Sequence, residues 1–77
     1  MSKNIVHQYF KKEMEGAKIL LKVNPIHLVG IELTIPDKGE PKMEELEFEN
    51  NVFEVLKADG FTEVNPIEFN LYISGLL

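Results

Sequence analysis

The chain has 77 residues and a net charge of −5, which leaves room for one hydrophobic core and therefore one domain, residues 1–77. Every basic side chain is a lysine, and cysteine and tryptophan are absent, so disulfides, thiolate nucleophiles and Cys-ligated zinc are excluded. The guanidinium fork that grips phosphate and guanine bidentately is missing, and the acidity repels polyanions, so no nucleic-acid partner is expected.

Residues 5–13 open the pattern ambiguously. Ile5, Val6, Tyr9, Phe10 and Met14 fall on one helical stripe, with Ser2 within reach as an N-cap. Ile, Val, Tyr and Phe are nevertheless strand formers, and the stretch EMEGAK suits a hairpin turn. The hairpin is the reading adopted, with a helix as the alternative.

AKILLKV reads as a strand that stops at the turn-initiating pair Asn24-Pro25. In HLVGIELTI, Val29, Ile31, Leu33 and Ile35 alternate with Gly30, Glu32 and Thr34, the period of a strand with one buried face. Pro36 ends it, and PDKGEP follows as a polar loop. In EELEFE, Leu46 and Phe48 alternate with Glu45, Glu47 and Glu49, as in a strand at a solvated edge.

NVFEVLKADG carries Asn51 as an N-cap, Glu54 three residues on in capping-box spacing, and Gly60 at the position after the C-cap. GFTEVNP connects it to the last segment, where Asn65, Pro66, Glu68 and Gly75 repeat the same punctuation. Residues 66–74 also alternate as a strand does, with Ile67, Phe69, Leu71 and Ile73 on one side. The two agreeing cap signals, and Glu68 placed to complement the helix dipole, decide for helix. Such a helix carries Ile67 and Leu71 on one side and Phe69, Tyr72, Ile73 and Leu76 on another. Its apolar circumference demands cover on both sides.

These elements predict an α+β fold: an antiparallel meander of three to four strands, covered on one face by about two short helices. The other sheet face is expected to be solvated or paired with another chain.

Candidate chemistry is sparse. His7 and His27 are the only imidazoles and have no metal-binding spacing, so they are read as structural or solvent-facing, with no metal and no cofactor. The glutamates between residues 37 and 54 lack the spacing of a calcium loop and read as a charged sheet edge that resists aggregation. No nucleophile motif surrounds Ser2, Thr34, Thr62 or Ser74, and a chain this short has little volume for a substrate pocket, so no enzyme is expected.

The segment MSKNIVHQYFKK has no secretory pattern, and no apolar run approaches the roughly 20 residues of a membrane span, so a cytoplasmic protein without a membrane partner is expected. The function expected is a non-catalytic interaction module. It docks onto a protein partner or self-associates, as a homodimer, through Phe61, Phe69, Tyr72, Ile73, Leu76 and Leu77. The alternative is a small-ligand or metal-binding domain, with weak enzymatic activity at most. That alternative needs His7, His27 and some glutamates to converge.

Overall fold

Ala17–Asn24 forms the central strand of the domain (β2), and its unbroken Ile19-Leu20-Leu21 run is buried from both sides. A computed structural model describes residues 6–76, the last by its backbone alone. Ser2, Ile5 and Leu77, and the side chain of Leu76, lie outside that description. The other elements are β1 (Gln8–Met14), β3 (Val29–Pro36), β4 (Lys42–Glu47), α1 (Val52–Ala58), β5 (Thr62–Val64) and α2 (Ile67–Leu76). All five strands join one antiparallel-paired sheet in the order β4-β3-β2-β1-β5.

The α+β meander predicted from the sequence is present, with five strands rather than three to four. The extra strand, β5, lies in the connection GFTEVNP and pairs Tyr9 with Val64 and Lys11 with Thr62. Three residues are too few to show a period, so its strand character comes from the β1 edge that it completes.

Local chemistry sets the connections. Gly16 supplies the positive φ (+87°) of the β1–β2 turn, which confirms the hairpin over the helical alternative. In the β2–β3 turn, the buried Asn24 side chain accepts hydrogen bonds from the N–H groups of Ile26 (2.9 Å) and His27 (3.0 Å). Leu28, which donates its N–H to the Asn24 carbonyl, adopts a left-handed φ of +57° to close that turn.

Pleating divides the side chains into two cores. Phe10, Leu21 and Val23 meet Val52 and Leu56 of α1, with Leu46, Phe48, Phe53 and Phe61 around them. On the opposite face Leu20 and Leu33 meet Phe69 of α2, flanked by Tyr9, Ile31, Ile35, Tyr72 and Ile73. The helices therefore cover opposite faces of the sheet, not one face as the sequence reading had them. The cause lies in β2: adjacent residues of a strand point to opposite faces, so three consecutive large aliphatics need cover on both sides.

The cap signals hold unevenly. Asn51 precedes α1 but makes no side-chain capping bond, so the expected capping box is not formed. The other end of α1 matches its signal: Gly60, at φ +93°, donates to the Lys57 carbonyl and Phe61 donates to the Leu56 carbonyl. That pair of bonds is the Schellman closure, with Phe61 folded back onto the same core as Leu56. Asn65 does accept from the Ile67 N–H at 3.0 Å, as expected of a cap. Gly75 lies inside α2 and does not stop it.

Candidate functional site

The seat of α2 on the sheet decides which of its side chains remain for a partner. Phe69 is 3% exposed, sandwiched against Leu20 and Leu33, and its ring meets Tyr9 edge-on at 5.5 Å between centroids and 64° between planes. Glu68, in the first turn, reaches down to two strands. Its Oε1 accepts from Lys11 Nζ at 3.0 Å and its Oε2 from Lys18 Nζ at 2.5 Å. The Lys18 ammonium also lies 5.1 Å from the centre of the Tyr72 ring.

All three charged groups respond to this arrangement. The hydrogen bond from Lys18 holds the Glu68 carboxyl below its usual range, against the opposing effect of burial. The hydrogen bonds to Glu68 raise Lys11 and Lys18 above theirs. An aromatic wedge and a forked ion pair thus fix the rotation of α2 about its own axis.

That rotation leaves Ile67 and Leu71 facing away from the sheet, 63% and 68% exposed. They are one turn apart and form an outward apolar stripe, beside the exposed Asn70 and Ser74. Of the residues expected from the sequence to face a partner, Phe69 is buried against the sheet and Tyr72 and Ile73 are half-buried beside it. Phe61 is likewise half-buried against the α1-side core, with the Lys12 ammonium 5.8 Å from its ring centre. Leu77 lies outside the described residues, as does the side chain of Leu76. The helical wheel separated the two apolar sides correctly. The clue to the choice was Glu68, which sits between the lysines of β1 and β2 only when Phe69 points down.

No family model matches this chain, and no characterised protein or solved structure is significantly similar to it.

The remaining concavities are open. One, of about 530 Å³, lies over the uncovered part of the α2-side face, where His7, Lys22, Glu45 and Glu47 face one another across Ile31. His27 is exposed in the β2–β3 turn and does not line this cleft. Among the described residues no group of three or more His, Asp or Glu side chains is placed to hold a metal ion. A second concavity, of about 440 Å³, runs along α1 on the other face. Among the described residues no helix is long and apolar enough to cross a membrane.

Proposed function

We propose that this protein is a non-catalytic, cytoplasmic interaction module that self-associates as a homodimer through the outer side of α2. The supporting observation is the Ile67–Leu71 stripe: two large aliphatics one turn apart, exposed on a helix whose inner side already has a core to fill. A second copy is the natural cover. A two-fold axis across α2 lays the stripe of one protomer against that of its partner, and neither stripe carries a charge that such pairing would bury.

Size sets the strength. A stable interface takes about 800 Å² from each partner, against 5728 Å² of total surface here. A helix of ten residues is about 15 Å long and supplies only part of that. The exposed Met43, which sits opposite Leu33 on the same sheet face, adds apolar area. The dimer is therefore weak and concentration-dependent. The ligand-binding alternative has less support, because His27 and His7 do not share a cleft.

Light scattering after size exclusion, from micromolar to millimolar protein, tests this reading. A dimer should grow in with concentration, and the double variant Ile67→Glu/Leu71→Glu should remain monomeric. Both positions are exposed, so the unfolding free energy of that variant in urea should stay within about 0.5 kcal/mol of the parent. A parent chain that is monomeric throughout the range sinks the proposal.

A further inference from the structure

The concavity beside α1 combines an apolar interior with a mainly acidic rim. Leu21 and Leu46 contribute from the sheet, Val55 and Leu56 from the helix, and Phe61 from the residue after its cap. Val55 is 45% exposed there, although it belongs to the helix that closes this face. Glu32, Glu47, Glu49 and Asp59 line the same groove; among the described residues no lysine lines it, and the nearest cation placed against it is the Lys12 ammonium beside the Phe61 ring. Glu44 stands directly opposite Glu32 in the β3–β4 ladder, on the same face of the sheet.

The glutamates of β4 alone need no special account, since charge on an edge strand discourages pairing with other chains. Glu32 is different. It is on β3, an interior strand, with β2 on one side and β4 on the other. It is half-buried, and a like charge directly across the ladder is destabilising. Burial, and then the charge of Glu44, push its carboxyl above the usual range. Among the described residues the ion pairs are Lys11–Glu13, Lys11–Glu68 and Lys18–Glu68, and none reaches these acids. An apolar groove with two repelling carboxylates at its margin is complementary to an apolar side chain flanked by cations.

We propose that the groove between α1 and the β3–β4 ribbon is a docking site for a basic amphipathic helix of a partner protein. Apolar side chains of that helix enter between Leu46, Val55 and Phe61, while lysine or arginine head groups settle over Glu32 and Glu44. The site is on the opposite sheet face from α2, so it operates whether the protein is monomeric or dimeric. It does not rest on the self-association reading.

The probe is an 18-residue peptide of leucine and lysine patterned as an amphipathic helix, with oligolysine and a leucine–glutamate peptide of the same pattern as controls. Amide shift mapping on the intact protein should place the perturbations at Leu46, Val55, Leu56 and Phe61. In calorimetry, Glu32→Gln should weaken binding about ten-fold, whereas Glu15→Gln in the distant β1–β2 turn should leave it within about two-fold. Glu32→Gln also removes the repulsion with Glu44, so its urea midpoint should rise, and a folding defect cannot imitate the loss. Oligolysine binding as tightly as the leucine–lysine peptide overturns the proposal, as does an equal loss in the two variants. Perturbations centred on α2 would locate the peptide on the other face and overturn it as well. The Ile67→Glu/Leu71→Glu chain should bind the peptide as the parent does, which separates this outcome from that of the dimer test.

Discussion

Replacing Gly30 by alanine adds a single methyl group at a point where three strands and an aromatic ring converge. A Cβ there would lie 2.1 Å from the carbonyl oxygen of Lys22 and 2.7 Å from Cε2 of Phe48. Ordinary contact needs roughly 1.5 Å more than the first of these distances, and that neighbour is backbone. Relief would require β2 and β3 to separate, against a ladder of eight paired residues on one side and six on the other. Overpacking a core costs about 1–3 kcal/mol even when side chains can yield, and alanine recovers about 0.5–1 kcal/mol over glycine in a strand. Because the obstructing neighbour is backbone, the cost lies at the upper end of that range, and the net loss should be about 2–2.5 kcal/mol, from a total of about 4–12 kcal/mol for a chain of this length. With a urea slope of about 1 kcal/mol/M, the midpoint should fall by about 2–2.5 M. Phe48→Ala removes only the softer of the two contacts, so most of the Gly30→Ala loss should persist in that background. An unchanged or raised midpoint for Gly30→Ala, or full rescue by Phe48→Ala, would show that the Lys22 carbonyl does not set the limit.

Two further outcomes follow from the seat of α2. Phe69→Ala deletes the one buried side chain that this helix, among its described residues, sends into the sheet and should cost about 3–5 kcal/mol in urea unfolding; a loss below about 1 kcal/mol would mean that the helix is held by something else. The lowered Glu68 gives a stability contribution that is complete above the ordinary glutamate value of 4.5 and is lost as pH falls through its folded value. The stability gap between the parent and Glu68→Gln should therefore be flat across neutral pH and shrink on acidification. Glu32, being raised, acts in the opposite sense and is present in both chains, so it cancels from that difference.

The strands were legible where hydrophobic period and punctuation agree. Asn24-Pro25, Pro36 and the alternation of Val29 to Ile35 placed β2 and β3 within a residue or two of their bounds. The side-by-side aliphatics of β2 also signal cover on both faces, which the expectation of a second face solvated or paired with another chain does not use. β5 carries no local signal, since its partners on β1 are more than fifty residues earlier in the chain. Capping chemistry located α1 and α2 without predicting which bonds form: Asn65 caps through its side chain and Asn51 does not. Which side of α2 remained outside was decided by Lys11 and Lys18, and no helical wheel of α2 alone contains them.

Cover on both faces by the last third of the chain also orders the folding problem. The four meander strands pair with their sequence neighbours, contacts that close cheaply and quickly. Within residues 8–47 the turn residue Leu28 packs onto the α1-side core, but no helix of that segment covers either face of the ribbon. The α1 side closes only with residues 52–58, and the α2 side only after the chain has returned to the β1 edge through β5 and reached Phe69. An emerging polypeptide of this sequence can thus lay down most of its hydrogen bonds long before it can dry either of its two cores. The contacts that complete both cores are made by α1 and α2.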